Sequence, residues 1–415
     1  MSLTIMTLIK CLTADAMTVY HHREAFPVPR SKEAEYMPKT PAVRISVIAL
    51  LVCVAIGSSL SAAPFDPNQP PELKIPSGDL TSEAVRRQRA TIQNWVKHWA
   101  KVLETDQREA LLLKARQSLS DGYTKYDSVE RISSRYYRIY ADAVAENVAP
   151  LLEKTGTLRQ INVALVLAST PRISMQDHYE TMVTHDNPGV RFLGWRGFSR
   201  IRDTILAQGS RSVDKFFNVA AKVAPKESSP ELLSSLLRAM RVVRTVTNSV
   251  TVPDDVLASA QTRAFSVIHS TWDKQLAPIV KGNIEMSHTG RMGVRAIKAV
   301  WEGIKDNKTA RTQALQDLVN LAHAATLATD KAEGTGPVAS ANLLLLRDAE
   351  SALKSLSGKQ GSYIGDALTD TDIDDPALRA KGAVLGALEW ATQLKDDGVV
   401  KPVDPTKQDD EKDNE

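Results

Sequence analysis

From Thr81 onward, apolar side chains recur every three or four positions and never alternate with polar ones for long enough to suggest a β-strand. The stretch from Ser82 to Leu103 shows this most clearly, because its large apolar residues fall on one stripe of a helix. These residues are Ile92, Trp95, Val96, Trp99 and Val102. The spacing therefore predicts an all-α protein in which each helix buries one face.

The same periodicity divides the rest of the chain into helices joined by short turns. They are predicted over about 106–119, 127–152, 157–171, 174–184, 189–207, 211–224, 231–243, 254–278, 290–305, 308–329, 338–356 and 376–394. Some boundaries follow from capping chemistry. Ser229 places a hydroxyl cap ahead of Pro230 at the first helical position. Thr157 and Gln160 have the spacing of a capping box, and Pro278 is predicted to kink or end its helix.

One turn sequence occurs twice in full. Residues 186–194 (DNPGVRFLG) and 374–382 (DDPALRAKG) share an acid, a proline two positions later, an apolar-Arg pair and a Gly three residues after the Arg. A weaker copy without the proline lies at 293–296 (GVRA). In this pattern the acid caps a helix, the proline starts it, and the small residue admits a neighbouring helix closely.

This pattern resembles the inter-helix turn and second-helix start of a HEAT repeat. The arginines of the three copies are 104 and 84 residues apart, near two repeat lengths of about 40–47 residues each. The resemblance covers 157–305 and 374–394. It implies an irregular HEAT-like array of antiparallel helix pairs that acts as a binding scaffold, and it implies nothing about a reaction. A non-repeating multi-helix bundle is the alternative.

An apolar run, ISVIALLVCVAIG at 45–57, follows Arg44 and precedes a small-residue stretch that ends at Ala63. Its 13 residues are typical of the core of a signal peptide and short for a membrane span. We therefore predict export to the periplasm or the exterior, with a mature chain that begins between Ala62 and Pro64. The alternative is an uncleaved anchor at 45–63, with the body outside the cytoplasm.

These patterns give a provisional division of the chain. It comprises a start-site artefact or unstructured leader (1–36), a signal peptide (37–63), a proline-rich spacer (64–80), an N-terminal helical subdomain (81–153), a HEAT-like region (157–305), a C-terminal helical region (308–394) and a disordered acidic tail (395–415).

Charge and cysteine content exclude several functions. Residues 1–63 carry six bases and four acids, so the remainder holds 46 bases and 45 acids. A body this close to neutral has no broad field to attract nucleic acid. Both cysteines, Cys11 and Cys53, precede residue 64. The predicted mature body therefore has no disulfide, no cysteine nucleophile and no cysteine-ligated metal.

Motifs for catalysis or metal binding are incomplete. Ser212 with Lys215, and Ser351 with Lys354, match the SxxK spacing of penicillin-binding enzymes, but the accompanying SDN and KTG motifs are absent. Acids at 370–374 imitate the start of a calcium loop that lacks its glycine and final glutamate. His178 and other residues at 177–186 lack metal-ligand spacing. We predict no metal site and no cofactor.

Tyrosines and arginines alternate between residues 123 and 140, where five of the nine tyrosines lie. Aromatic rings beside guanidinium groups can form a surface for anionic or sugar ligands. The candidate ligand surface comprises Tyr126, Arg131, Arg135, Tyr136, Tyr137, Arg138 and Tyr140. In the alternative interpretation, the tyrosines pack at the edge of the core.

The function predicted from these features is an exported, non-catalytic scaffold that binds another protein. No nucleic-acid partner is expected, and membrane contact is expected only through the N-terminal segment if it stays uncleaved. The alternative is a helical hydrolase or lyase that acts on a cell-envelope polymer. A cluster of His178, His185, His269 or His288 with acids in a deep cleft would favour that enzyme.

Overall fold

Helices form almost all of the protein that the structure describes. This computed structural model describes residues 65–73, 82–124, 134–154, 156–244 and 252–406, and no β-strand occurs in these ranges. The helices are α1 (Ser82–Thr105), α2 (Glu109–Thr124), α3 (Ser134–Asn147), α4 (Leu151–Lys154), α5 (Thr157–Ala168), α6 (Gln176–Val183), α7 (Pro188–Ala207), α8 (Ser210–Val223), α9 (Pro230–Ala239), α10 (Asp254–His269), α11 (Asp273–Val280), α12 (Ile284–Ile304), α13 (Lys308–Lys331), α14 (Gly336–Ser357), α15 (Tyr363–Thr369) and α16 (Pro376–Gln393). The prediction of an all-α fold is confirmed.

The helices are arranged as a two-layer array. Helices α7, α9, α12 and α14 pack side by side in that order, and α8, α10, α13 and α16 pack in a second layer. Consecutive helices also contact each other, as α6 does with α7, α13 with α14 and α15 with α16. Because short turns join these partners, each pair runs antiparallel. The described body is therefore an array of antiparallel helix pairs.

An N-terminal group of helices precedes the array. Helices α2 and α3 both pack on α1, and α2 also contacts α5. The segment 65–73, predicted as part of a spacer, lies against this group. The Phe65 ring centroid is 5.0 Å from that of His98, and Lys101 Nζ is 4.6 Å from the Phe65 centroid.

The turn between α6 and α7 has the predicted role, with one change of residue. Asn187, rather than Asp186, is the cap, and its Oδ1 accepts a hydrogen bond of 2.9 Å from the Gly189 amide. Pro188 is the first residue of the helix. Arg191 donates to the carbonyl oxygens of residues 185 and 186 at 3.0 and 2.9 Å. Its Nε also lies 2.8 Å from the buried carboxylate of Glu227, which follows α8.

Gly194 lies at a close crossing of α7 and α6. A Cβ placed on Gly194 would be 2.8 Å from Val183 Cγ1 and 2.9 Å from the Val183 backbone nitrogen. At the matching position of the second turn, a Cβ on Gly382 would meet only the Ala367 Cβ, at 3.3 Å. The two copies of the motif therefore place glycine in helix contacts of very different tightness.

Other local predictions have mixed outcomes. Ser229 caps α9 as predicted, because its Oγ accepts from the Leu232 amide at 3.3 Å. The capping box is wrong: the cap of α5 is Gly156. The side chain of Gln160 instead donates to the Leu152 carbonyl at 3.0 Å. This backbone oxygen lies in the short α4, which leaves it available as an acceptor.

The predicted 254–278 helix is broken earlier than Pro278, between α10 and α11. Pro278 lies inside α11, which ends at Val280. Residues 395–400, assigned to the acidic tail, are held against α13. Val399 is buried there, and the Gln316 side chain bonds both the amide and the carbonyl of Val400.

The N-terminal leader, the signal or anchor segment and residues 407–415 lie outside the described residues. Among the helices that are described, none combines the length and the apolar character needed to cross a membrane.

Candidate functional site

The structure divides the candidate tyrosine-arginine surface into two groups. Tyr136 and Tyr140 are buried, with 1% and 0% of their surface exposed. Their hydroxyls donate 2.6 Å hydrogen bonds to the carbonyls of Gly122 and Leu119 in α2. These two side chains therefore fix α3 on α2 and are not available to a ligand. Tyr126 and Arg131 lie outside the described residues.

The remaining members of the surface stay accessible on α3. Arg135 and Arg138 are exposed, and Tyr137 is half-buried beside them. Positions three and four residues apart share one face of a helix. The pair Arg135 and Arg138 therefore projects from one side of α3, together with Asp142 one turn further along.

A groove opens beside this face of α3. It has a volume of about 430 Å³ and is lined by Arg135, Arg138, Asp142, Arg172, Ile173 and Ser174. We call it the arginine groove. The Arg172 guanidinium carbon lies 5.6 Å from the centre of the Tyr137 ring, a cation–π distance. Among the residues that the structure describes, the lining therefore holds three guanidinium groups and one carboxylate.

Arg172 could not be identified from sequence. It lies in the turn after α5, and it meets α3 only because the turn at Ile173–Met175 packs on that helix. No local motif marks it. Its position converts a row of basic residues on one helix into a groove with bases on both sides.

The arginine groove can bind anionic groups. Guanidinium groups offer planar pairs of donors that match carboxylates, and Tyr137 adds a flat apolar surface. Because the groove is open to solvent, each ion pair formed there would contribute less than a buried pair. Selectivity would therefore depend on several contacts made at once.

The histidines named for the enzyme alternative have separate environments. His185 Nδ1 accepts a 2.9 Å hydrogen bond from the Asn187 amide, and His288 is exposed. Burial lowers the pKa of His178. His269 Nδ1 lies 2.9 Å from a carboxylate oxygen of Asp317. Neither His269 nor Asp317 lines the arginine groove or the larger groove described below.

The Asp317 carboxyl is buried between α10 and α13, whereas the His269 side chain is 43% exposed. Burial raises the pKa of Asp317 to about 6, although the hydrogen bond from His269 opposes this shift. The same hydrogen bond raises the pKa of His269. Both groups therefore bind protons more tightly in the folded state, so their contribution to stability falls as pH rises from about 4 through 7.

We expect Asp317→Asn to remove most of this dependence. At pH 8 the variant should be more stable than the parent by on the order of 1–3 kcal/mol, because the charged carboxylate is costly to bury. Near pH 4 the difference should shrink, since Asp317 is then protonated in the folded protein and partly protonated in the unfolded chain. Chemical denaturation at both pH values measures this, with the exposed Asp306→Asn as the control. An equal effect of Asp317→Asn at both pH values would contradict the assignment.

The lysine of the first SxxK match, Lys215, is held by acids. Lys215 Nζ lies 2.5 Å from Asp177 and 3.4 Å from Glu180. The hydrogen bond with Asp177 raises the pKa of Lys215, which disfavours the neutral amine that a general base requires. Within the described ranges, no group of three or more His, Cys, Asp or Glu side chains is placed to hold a metal ion.

Comparisons with known proteins identify no relative. No protein-family model and no curated protein matches the chain. Among solved structures, it is similar to a crystal structure of an engineered protein at 14% identity and a TM-score of 0.36, covering 62% of this chain and 98% of that one. A second engineered protein is 16% identical with a TM-score of 0.31, covering 74% of this chain and 80% of that one. Likenesses this weak carry no functional argument, so the function must be argued from the geometry.

Proposed function

We propose that this protein is an exported, HEAT-like helical scaffold whose arginine groove binds an acidic segment of another protein. The observation that carries the proposal is the convergence of Arg135, Arg138 and Arg172 on one groove with a single carboxylate, Asp142, in its lining. A partner that brings carboxylates would add ion pairs with the exposed guanidinium groups of Arg135 and Arg138. Tyr137 would supply the adjoining apolar contact.

The HEAT-like character is supported by the turn between α6 and α7. There the motif residues perform the roles that the repeat pattern implies: a proline starts the helix, Gly194 admits its neighbour, and Arg191 bonds the turn. Stacked helix pairs expose long continuous surfaces, which suits binding of extended partners. Export is supported by the apolar run at 45–57 and by the absence of cysteine after residue 53.

Reversing charge in the groove tests the proposal. In the Arg135→Glu/Arg138→Glu double variant, we expect affinity for a labelled oligoglutamate peptide to fall at least about tenfold, equivalent to about 1.4 kcal/mol. Fluorescence anisotropy at low ionic strength measures the affinity, and added salt should weaken it.

The matched control is Arg86→Glu/Arg89→Glu, which makes the same charge change at two exposed positions of α1. It should leave binding within about twofold of the parent. Equal losses in the two double variants would mean that only net charge matters. That result, or an absence of binding to the parent chain, would refute the assignment of the arginine groove.

A further inference from the structure

A second and larger groove lies between α14 and α15, at the opposite end of the chain from α3. Its volume is about 780 Å³. The exposed Leu343 and the half-buried Leu368 form its accessible apolar floor, and the lining also includes Leu346 and Ile364, both 1% exposed. Arg347, Lys354 and Lys359 also line it and carry its positive charge. We call this feature the α14–α15 groove.

The groove exists because the two helices differ in length. Helix α14 has 22 residues and α15 has seven, or about 33 Å against about 10 Å at 1.5 Å per residue. On its other side α14 is packed against the long α12. The short α15 leaves part of the outer face of α14 uncovered, including Leu343, which is 41% exposed.

The lining of this groove has no acid that is available to pair with its basic residues. Glu350 is the one acid there, and it is buried. Its carboxylate oxygens accept hydrogen bonds from the amides of Ile364 and Gly365, each at 2.8 Å, and from the Trp390 indole at 3.0 Å. Glu350 is thus fully engaged in holding α15 and α16.

Arg347, Lys354 and Lys359 make no ion pair with any residue in the described part of the chain. Arg347 and Lys354 are seven residues apart, so they lie on one face of α14 about 10.5 Å apart along the helix axis. A ligand that satisfied both would have to carry acids about two helical turns apart. The apolar floor between the helices requires that the same ligand also carry an apolar stripe.

We infer that the α14–α15 groove binds an amphipathic helix of a partner protein, with its apolar stripe on Leu343 and Leu368 and with flanking acids on Arg347 and Lys354. A helix in this place would lie beside α14 as α12 does on its other side. A separate partner helix fits the groove better than residues 407–415 of this chain, because those residues hold five acids but no apolar side chain to cover the floor. This mode of recognition relies on residues at i, i+3, i+4 and i+7 of the bound helix.

The test uses the purified full chain and three labelled synthetic peptides. The first is a helix with a leucine stripe and flanking glutamates, the second has lysines in place of the glutamates, and the third is a scrambled form of the first. We expect the first peptide to bind at least about tenfold more tightly than either control. Arg347→Glu/Lys354→Glu should reduce its affinity at least about tenfold, with an unchanged thermal melt because both side chains reach solvent.

Three results would overturn the inference. Equal binding of the scrambled peptide would show that charge alone is recognised. Tighter peptide binding after deletion of 407–415 would show that the tail is the occupant. If sedimentation showed that the parent chain is a dimer and that the Arg347→Glu/Lys354→Glu variant is not, the occupant would be a second copy of this chain. Arg135→Glu/Arg138→Glu should leave peptide binding unchanged, so this test and that of the arginine groove succeed or fail independently.

Discussion

Glu350→Ala is expected to lower the free energy of unfolding by at least about 3 kcal/mol. The substitution leaves the amides of Ile364 and Gly365 and the Trp390 indole without their buried acceptor. Each buried donor left unpaired costs about 1–3 kcal/mol. Urea denaturation followed by circular dichroism and tryptophan fluorescence would measure the change.

Two further variants serve as references for the change in unfolding free energy expected of Glu350→Ala. Glu350→Gln keeps an acceptor oxygen of the same reach and should lose less than the alanine variant. Glu302→Ala removes an exposed carboxylate paired with Lys305 and should cost less than about 1 kcal/mol. If Glu350→Ala unfolded at the same urea concentration as Glu302→Ala, the anchoring role of Glu350 would be wrong.

Gly194→Ala is expected to destabilise the protein by about 1–3 kcal/mol, although alanine favours a helix over glycine by about 1 kcal/mol. The added methyl would overlap the backbone nitrogen of Val183, so α6 and α7 must separate. Gly194→Leu should cost more, because the larger side chain enters the same contact.

The second copy of the motif supplies the matched control. Gly382→Ala makes the same change in the same motif position, where a Cβ meets only another methyl at 3.3 Å. We expect that variant to be within about 1 kcal/mol of the parent, because helix propensity offsets the tighter contact. Thermal melts of the two variants side by side compare the positions directly. Equal melting temperatures would mean that the α6–α7 crossing is not tight.

Local sequence patterns predicted the helices well, because helix formation and capping depend on residues within a few positions of each other. Local residue spacing was enough to predict three features: the buried stripe of α1, the Ser229 cap and the close approach at Gly194. The capping box at Thr157 failed for a related reason. The Gln160 side chain donates instead to the Leu152 carbonyl in α4, which precedes its own helix.

The candidate sites were predicted less well, because they depend on which helices stack together. Arg172 joins Arg135 only through the packing of a turn on α3. Tyr136 is buried rather than part of the predicted surface, because its hydroxyl donates to a carbonyl oxygen of α2. Glu350 reaches donors 14 to 40 residues away. No periodicity in one segment encodes such partners.

The contact between Arg191 and Glu227 also affects how the helix array unfolds. One guanidinium holds the α6–α7 turn and the carboxylate that follows α8, and Lys274 of α11 bonds the backbone carbonyl of Glu227 at 3.2 Å. In repeat arrays, neighbouring units are coupled mainly by such contacts between adjacent pairs. Separating the α6–α7 turn from the segment after α8 would leave the buried carboxylate of Glu227 without its arginine partner. The amides of α6 to α9 should therefore exchange with solvent as one cooperative unit.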